Sequence, residues 1–382
     1  MGVEVLWFMP ITPISVKERQ GTLGSYYACS DYVSTNPEFG SVQDFKLLVK
    51  EAHALGFKVI IDWVANHTGW DHWWTQTHPR YYSRNAQGQF YDKNNWHDVI
   101  DLNYYNHHMR EDMISAMKFW VTECDIDGFR CDMAHLVPLD FWRTARITLD
   151  AVKPLLWLAE TETVMYHQSF DISYSWNWMH QTEKYFKGLI SFHDLVKTLD
   201  DYKANFPPEA LRLYFTANHD ENSWNGTEYE KYGDGALALA VFSCTWEGVP
   251  LVYSGQEMPN HRRLKFFDKD PIEWTGNFAL HNFYRSLLTL RKTNPALTAD
   301  GSSSTYRIKT SADNQVFCYL RKKGEREVLV VLNLSSSPLA HFEFMDDRIV
   351  GDYRNIFNNL LIDLDRMKPL ALQAWDYQVL EK

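Results

Sequence analysis

The chain has 382 residues, is 45% hydrophobic and carries a formal net charge of -11. Its length suits a barrel-sized domain with a smaller appended domain as well as it suits two equal domains. The acidic balance without a basic block argues against a nucleic-acid partner. The five cysteines are scattered without a C-x-x-C pair, which disfavours a disulfide framework or a zinc ribbon. The sequence contains no run of 18 apolar residues, so no membrane span is predicted.

Strand-like apolar runs alternate with amphipathic helical patterns over most of the chain. Strands are predicted at residues 3–9, 57–64, 128–132, 154–160, 170–174, 211–217 and 250–254. Helices are predicted at residues 41–55, 109–124, 139–152, 235–246 and 278–292. This alternation predicts an α/β fold in which crossover helices connect the strands of a parallel sheet.

The helix predicted at residues 41–55 has clear signals at both ends. Ser41 and Asp44 form a capping-box pattern, and Gly56 follows as a stop. Its apolar residues are expected to share one buried face: Phe45, Leu48, Val49, Ala52 and Leu55.

Two segments depart from the alternation and predict additional domains. The polar and aromatic stretch at residues 68–108 is too long for an ordinary loop, so we expect a small excursion domain there. After residue 297 the sequence gives short β runs, such as 316–321 and 327–333, which predict an antiparallel β domain. The predicted organisation is therefore a barrel at residues 1–67 and 109–297, an excursion at 68–108 and a C-terminal domain at 298–382.

Acidic residues follow four of the predicted strands: Asp62, Asp132, Glu160 and Asp220. In a βα-barrel the carboxyl ends of the strands carry the chemistry, and converging carboxylates raise one another's pKa. Such an environment can separate a protonated acid from an ionised nucleophile, as glycoside hydrolysis requires.

The stretch GFRCDMAH, residues 128–135, gives a second indication. As a strand it places Arg130 and Asp132 on the face opposite Phe129 and Cys131, and the guanidinium would keep the carboxylate ionised. Taken alone, this stretch favours the interpretation as a buried structural ion pair. A zinc site is a weaker reading, because H-E-x-x-H and comparable ligand spacings are absent from the sequence.

Five ordered stretches resemble the motifs of the alpha-amylase family, glycoside hydrolase family 13: DWVANH (62–67), IDLN (100–103), GFRCDMAH (128–135), LAETE (158–162) and FTANHD (215–220). The stretches GSYYACSDY (24–32), GVPLVYSGQE (248–257) and LRKTNPAL (290–297) are also similar to that family. The resemblance implies a (β/α)8 TIM barrel, an excursion domain after strand 3 and a C-terminal antiparallel β-sandwich. Because GVEVLWFMP matches the family's second strand, strand 1 is expected to be missing, as in a fragment, a truncated product or a mis-assigned start.

The resemblance also implies roles for individual residues. Asp132 would be the nucleophile, Glu160 the acid/base, and Asp220 would stabilise the transition state. The retaining mechanism places the two reacting carboxyls about 5–5.5 Å apart. Glu162 remains an alternative acid, because it lies two residues after Glu160 with the same facing. Further substrate-binding positions follow from the motifs: Arg130, His67, His219, Tyr27, Asp62 and His135.

Family members often bind Ca²⁺, which prefers hard oxygen ligands. The matching positions are Asn66, Asp101 and the backbone carbonyl of Leu136. Asn66 is nearly as typical of a loop residue that only forms hydrogen bonds. Where many family members have Lys-His after the nucleophile, this chain has His135 and Leu136.

The resemblance leaves three functions open for the same residues. The leading one is hydrolysis of α-1,4-glucosidic bonds in starch and maltooligosaccharides. The second is transglycosylation or a sucrose- or trehalose-type reaction, and the third is a truncated, inactive chain that binds carbohydrate. No signal peptide is visible in the first residues. A soluble protein is expected, with its compartment open between secreted, periplasmic and cytoplasmic.

Overall fold

The computed structural model describes residues 1–365 and 370–382, which divide into two compact units. The first unit comprises Val3–Tyr174 and Lys265–Asp270. The second comprises Met1–Gly2, Ser175–Leu264 and Pro271–Lys382.

The first unit is built on a parallel sheet whose strands run in the order β1-β2-β5-β6-β7. The unit's strands are β1 (Val5–Phe8), β2 (Lys58–Trp63), β3 (His67–Gly69), β4 (Val99–Asp101), β5 (Gly128–Cys131), β6 (Leu156–Ala159) and β7 (Ile172–Tyr174). Its helices are α1 (Val42–Ala54), α2 (Trp74–Thr77), α3 (His107–Cys124) and α4 (Leu139–Asp150). Because α1, α3 and α4 each connect neighbouring parallel strands, this unit has the predicted βα alternation.

The side chains of the parallel strands alternate between two buried faces. Val59, Ile61 and Trp63 of β2 pack into a core together with Phe129 of β5 and Trp157 of β6. The intervening residues therefore face the other side of the sheet. A close approach of β5 to β6 requires glycine at residue 128, since a Cβ there would lie 2.1 Å from the carbonyl oxygen of Leu156.

Helix α1 begins with the predicted capping box. The Ser41 side chain accepts a hydrogen bond from the Asp44 backbone N–H, and the Asp44 carboxylate accepts one from the Ser41 N–H. The predicted apolar face is only partly correct: Phe45, Val49 and Ala52 are buried, whereas Leu48 and Leu55 are exposed. The i, i+3 and i+4 spacing also selects residues at the edge of the apolar face of the helix. Neighbouring elements leave these edge residues exposed to solvent.

The predicted excursion, residues 68–108, contains α2 and most of an antiparallel pair formed by β3 and β4. Its boundaries, like those of the other predicted domains, stay a prediction. Of its tryptophans, Trp74 is buried, Trp73 is largely exposed, and Trp70 and Trp96 are half-buried. Trp74 belongs to the hydrophobic core of the first unit, and Trp70 packs against that core.

The second unit begins with helices and a short parallel strand pair. Its helices are α5 (Trp176–Phe186), α6 (Phe192–Asn205), α7 (Glu228–Tyr232), α8 (Ala236–Thr245) and α9 (His281–Thr293), and the parallel pair consists of β8 (Leu211–Tyr214) and β9 (Val249–Pro250). The strand predicted at residues 250–254 is therefore wrong beyond Pro250. The Tyr253 N–H donates to the Gln256 side chain rather than to a strand, which starts a turn.

The end of the second unit is antiparallel, as predicted. Its strands are β10 (Ser304–Arg307), β11 (Val316–Lys323), β12 (Arg326–Asn333), β13 (Leu339–Phe342), β14 (Asp352–Asn355), β15 (Leu361–Asp363), β16 (Leu370–Leu372) and β17 (Tyr377–Glu381). Six strands form one sheet in the order β10-β11-β12-β17-β14-β15, and β13 pairs with β16. Buried residues of both sheets, including Leu329 and Phe342, share one core.

Helices long and apolar enough to cross a membrane are absent from the part of the chain that the structure describes. The five cysteines are all buried and unpaired with one another, consistent with the predicted lack of a disulfide framework.

Candidate active site

Strand register brings the charged residues of β2 and β5 together. Asp62 is the direct partner of Arg130, and Trp63 is the partner of Cys131. Cys131 and Trp63 belong to the hydrophobic core, so Asp62 and Arg130 share the opposite face. The sequence alternation of GFRCD thus correctly predicted the facing of Arg130.

The fully buried guanidinium of Arg130 binds three carboxylates. Nη1 donates to Asp62 Oδ1 at 2.8 Å and to Asp132 Oδ1 at 3.0 Å. Nη2 lies 2.8 Å from Glu160 Oε2. The Met133 N–H also donates to Glu160 Oε2, at 2.8 Å. The predicted acids of three neighbouring strands therefore meet at one cation.

Aromatic rings enclose the guanidinium. It lies 5.2 Å from the ring centroid of Trp7, 5.9 Å from that of Tyr27 and 5.6 Å from that of Tyr174. The Tyr27 hydroxyl donates to Asp62 Oδ2 at 3.1 Å, and Arg130 Nε donates to the Tyr174 hydroxyl at 3.3 Å. Such a ring wall excludes water and strengthens the interactions among the charges inside it.

Burial shifts the protonation of two of these carboxyls. Burial raises the pKa of Glu160 to about 7, with the neighbouring Asp132 adding to the rise and Arg130 opposing it. Burial likewise raises the pKa of Asp62 to about 6 against the pull of Arg130. Burial alone would lower the pKa of Arg130, but Asp62 and Glu160 raise it, so the guanidinium stays charged.

This arrangement can both give and accept a proton near neutral pH. Glu160, with a pKa of about 7, has the raised value that a general acid requires. Asp132 contacts the permanent charge of Arg130, which favours its ionised form. A carboxyl with a raised pKa near a carboxylate that is bound by a cation is the pattern used in acid-plus-nucleophile catalysis.

Glu160 fits the acid role better than Glu162. Glu160 is buried and bonded to Arg130, whereas Glu162 is half-buried. The geometry therefore supports the choice that the sequence left open.

His67 is buried in the first unit. Its ring packs edge-on against Trp96 with centroids 5.4 Å apart, and Asn66 Nδ2 lies 3.1 Å from its Nδ1. Burial lowers the pKa of His67 to about 4, so its imidazole is neutral and able to hydrogen-bond a sugar hydroxyl. By contrast, the side chain of His135 is exposed, and its carbonyl accepts from the Tyr166 hydroxyl.

His219 and Asp220 belong to the second unit, where they follow β8. His219 Nε2 lies 3.2 Å from Asp220 Oδ2. His219 is buried, while about a third of the Asp220 side chain is exposed (31%). The two predicted residues therefore contact one another, and an accessible carboxylate accompanies a shielded imidazole.

The predicted calcium ligands are partly assembled. Asn66 Nδ2 lies 3.4 Å from Asp101 Oδ1, and burial together with Asp92 raises the pKa of Asp101 to about 6. The Asp101 carboxylate is a hard oxygen donor of the kind that suits Ca²⁺, but it faces the Asn66 amide nitrogen, and Lys93 Nζ lies 3.7 Å from its Oδ2. Among residues 1–365 and 370–382, no group of three or more His, Cys, Asp or Glu side chains is placed to hold a metal.

Sequence reasoning missed three residues around Arg130. Trp7 and Tyr174 were included only as members of predicted strands, and Phe266, whose ring stacks on Tyr27 with centroids 6.1 Å apart, was not singled out. The alternation of side chains along β1 and β7 would place Trp7 and Tyr174 on the face of Arg130 once the register of the strands is known. The sequence carries no local signal for the long-range contact of Phe266.

Comparison with known proteins identifies the family. The family model "Alpha amylase, catalytic domain" matches residues 1–91 and 79–152. The crystal structure of a noncanonic maltogenic alpha-amylase AmyB from Thermotoga neapolitana is 31% identical, with a TM-score of 0.85, over 100% of this chain and 88% of that one. An alpha-amylase structure from Lactobacillus plantarum is 27% identical, with a TM-score of 0.87, over 99% of this chain and 91% of that one.

Alpha-amylase MalA of Haloarcula japonica is 26% identical over 93% of this chain, which spans 54%, about half, of that relative's length. The structural matches confirm the predicted fold class, an α/β barrel with a C-terminal antiparallel β domain. The chain belongs to the alpha-amylase family, glycoside hydrolase family 13.

Proposed function

We propose that this chain is a retaining glycosidase that hydrolyses α-1,4-glucosidic bonds in starch-derived maltooligosaccharides. The observation that carries the proposal is the binding of Asp62, Asp132 and Glu160 to one buried guanidinium, with the pKa of Glu160 raised to about 7. The alpha-amylase names of the similar proteins support an α-glucan as substrate.

In the first step, an Asp132 carboxylate oxygen attacks the anomeric carbon of the sugar. Glu160 donates its proton to the glycosidic oxygen as the bond from that oxygen to the anomeric carbon breaks. The products are a glycosyl ester on Asp132, a shortened glucan and an ionised Glu160. The raised pKa of Glu160 leaves roughly half of this group protonated near pH 7 for this step.

In the second step, water hydrolyses the glycosyl ester on Asp132. The Glu160 carboxylate takes a proton from water, and the resulting hydroxide forms the new bond to the anomeric carbon while Asp132 leaves. Two inversions give net retention, and the expected carboxyl separation of about 5–5.5 Å stays a prediction.

Arg130 and Asp62 would hold the reacting carboxyls in place. Asp132 loses its negative charge when it forms the ester, and Glu160 gains a negative charge when it gives up its proton. Both changes occur beside the same guanidinium, so the total charge around Arg130 does not change. Such a pre-arranged environment needs little reorganisation during the reaction. We assign Asp62, Tyr27, His67, His135 and His219 to binding of sugar hydroxyls, and Asp220 to the distorted transition state.

We further propose that Ca²⁺ is held by Asn66, Asp101 and the carbonyl of Leu136. The buried Asp101 carboxylate beside Asn66 supports this placement, because Ca²⁺ prefers hard oxygen ligands. The ion would supply positive charge that stabilises the fold beside His67. Removal with a chelator followed by calorimetry tests it: the Tm should fall and be restored by Ca²⁺ but not by Mg²⁺, and an unchanged Tm would oppose it.

The test of the function is NMR of the full chain with maltoheptaose, following anomeric protons from the first minutes. Prompt appearance of shorter products as α-anomers would support retaining hydrolysis. Products that appear first as β-anomers would overturn the proposed mechanism. Products longer than the substrate would favour transglycosylation.

The matched control is Asp132→Asn, which keeps the side-chain shape and removes the nucleophile. It should form no product while its circular dichroism spectrum matches that of the unaltered chain. A folded, unaltered chain that binds maltoheptaose without converting it would instead favour the carbohydrate-binding alternative.

A further inference from the structure

A cavity of about 470 Å³ lies within the second unit. It is lined by the ends of α6 and β8, the chain before β9, and strands β10 and β11. Three arginines line it, each from a different strand: Arg212, Arg307 and Arg321. None of these residues belongs to the site proposed for glycoside hydrolysis.

The antiparallel register gathers its polar groups on one sheet face. Thr305 of β10 is the direct partner of Arg321 of β11. Arg307 lies two residues after Thr305 and therefore faces the same side. The sheet thus presents two guanidinium groups and a hydroxyl to the cavity.

Two of these polar groups are buried with unused hydrogen-bonding capacity. Arg321 is 2% exposed; its Nη1 donates to the Thr245 carbonyl at 3.3 Å and its Nη2 to Ser303 Oγ at 2.6 Å. Within the described residues, Arg321 Nε and Thr305 Oγ1 are buried atoms without a hydrogen-bond partner. Buried donors are normally satisfied, so these two atoms point to a missing acceptor.

The cavity is also lined by two acids: Asp200 raises the pKa of Arg307 and Glu247 that of Arg321, but burial outweighs both. Arg212 and Arg321 are buried, whereas the carboxyl-bearing Asp200 and Glu247 are exposed. The guanidinium of Arg307 is bonded to the carbonyls of Cys318 and Val316 rather than to an acid. Burial lowers the pKa of both Arg307 and Arg321, which is the expected cost of desolvating positive charge. An anion in the cavity would offset this cost.

Aromatic rings form the walls. The Arg212 guanidinium lies 3.2 Å from the Phe206 ring centroid and 4.5 Å from that of Tyr202. Arg307 lies 4.3 Å from the ring centroid of Phe317. Stacking fixes the planar guanidinium groups, so their N–H groups are pre-oriented for oxygen ligands.

We propose that this cavity binds a phosphate-type oxyanion, either free or as the phosphate ester of a sugar. Arg321 Nε and Thr305 Oγ1 donate to its oxygens, and the guanidinium groups of Arg212 and Arg307 supply further positive charge. Tetrahedral oxyanions accept several charge-assisted hydrogen bonds at once, which a neutral sugar does not. The volume of about 470 Å³ has room for an attached sugar ring.

Isothermal titration calorimetry of the full chain tests this with inorganic phosphate, glucose 6-phosphate, glucose and chloride at equal ionic strength. We expect one phosphate site per chain and a phosphate-dependent rise in Tm. Tighter binding of glucose 6-phosphate would identify an ester as the ligand, and equal or weaker binding would identify the free anion. Equal binding heats and equal rises in Tm with chloride and phosphate would overturn the proposal. Binding of glucose without binding of phosphate would also overturn it.

Thr305→Val and Arg321→Gln assign the binding to this cavity. Thr305→Val removes a hydroxyl without a partner, so the free protein should be at least as stable as the unaltered chain while Kd rises about 3- to 10-fold. Arg321→Gln should raise Kd about 10- to 100-fold.

The matched control is Arg354→Gln, an exposed arginine on β14 of the same sheet, which should leave Kd unchanged. An unchanged Kd in Thr305→Val and Arg321→Gln, or an equal rise in the control, would overturn the assignment. Thr305→Val keeps the test decisive even where Arg321→Gln fails to fold.

Discussion

Arg130 contacts Glu160 through Nη2, 2.8 Å from Oε2, while Nη1 of the same guanidinium binds Asp62 and Asp132. One cation therefore serves three buried carboxyls. Full ionisation of all three would leave net negative charge in a desolvated site, which is costly. Burial raises the pKa of Glu160 to about 7 and that of Asp62 to about 6, and the neighbouring carboxyls add to both rises.

The first prediction concerns the pH dependence of hydrolysis. Since Glu160 must be protonated to donate to the leaving oxygen, kcat/KM should fall as pH rises through about 7. Glu160→Gln should lower kcat about 10²- to 10⁴-fold and remove this limb. Steady-state kinetics on maltoheptaose between pH 5 and about pH 9 would measure both effects.

Glu162→Gln is the matched control, because it changes the neighbouring acid that the sequence left as an alternative. It should retain most of the activity and the same alkaline limb. Loss of that limb in Glu162→Gln, with activity retained in Glu160→Gln, would reverse the assignment of the acid.

The second prediction concerns the stability of the charge cluster. Arg130→Met removes the guanidinium and leaves three buried carboxyls without their cation, so the free energy of unfolding should fall by about 3–5 kcal/mol at pH 7. Urea unfolding followed by circular dichroism would measure it. The loss should be smaller at pH 5, where Asp62 and Glu160 are protonated to a greater extent.

Arg326→Met is the control for removal of an arginine. Its side chain is 52% exposed and pairs with Glu381 at 3.7 Å, so the loss should be below about 1 kcal/mol. Equal losses in the two variants at every pH would argue against a special role of the buried cluster.

The sequence was sufficient to predict features that depend on neighbouring residues. The strand cores, the strand-end acids Asp62, Asp132 and Glu160, and the Ser41 cap all follow from local apolar runs and capping chemistry. The facing of Arg130 followed from strand parity. The strands could be predicted because parallel strands that are buried on both faces appear in the sequence as continuous apolar runs.

Features that depend on long-range packing were missed. The ring wall around Arg130 requires Trp7 of β1 and Tyr174 of β7, which are far apart in sequence. Helix α6 was also missed, although Ser191 and Asp194 form the same capping box as Ser41 and Asp44. The exposure of Leu48 depends on what covers α1, which periodicity alone does not specify.

The third prediction uses the two equivalent capping boxes. Ser41→Ala removes the side-chain oxygen that accepts from the Asp44 N–H, and Ser191→Ala does the same for Asp194. Each should lower the free energy of unfolding by about 0.5–2 kcal/mol without changing kcat. Ser→Gly at the same positions should cost only a few tenths of a kcal/mol, and a larger loss in glycine than in alanine would contradict the capping explanation.

The fourth prediction concerns Asp127, which precedes β5 and whose carboxylate has three polar partners. Its carboxylate accepts from the Val59 N–H at 2.9 Å and Lys58 Nζ at 3.0 Å, and it lies 2.7 Å from His53 Nε2. Burial would raise the pKa of Asp127, but these partners outweigh it and hold the pKa below its usual range. A carboxyl with a lowered folded-state pKa stabilises the fold above its unfolded value of about 3.9.

Asp127→Asn should therefore lower the free energy of unfolding by about 1.5–3 kcal/mol near pH 7, since a hydrogen-bonded charge is lost. The difference from the unaltered chain should shrink as pH falls below about 4, because the native carboxylate is then protonated through its lowered pKa. Urea unfolding from pH 7 to about pH 3 would measure this difference in the free energy of unfolding.

Asp125→Asn is the control. The Asp125 side chain pairs with Lys153 but is 67% exposed, so the substitution should change the free energy of unfolding by less than about 1 kcal/mol. A pH-independent difference for Asp127→Asn would show that loss of a hydrogen-bond acceptor, rather than loss of charge, destabilises the start of β5.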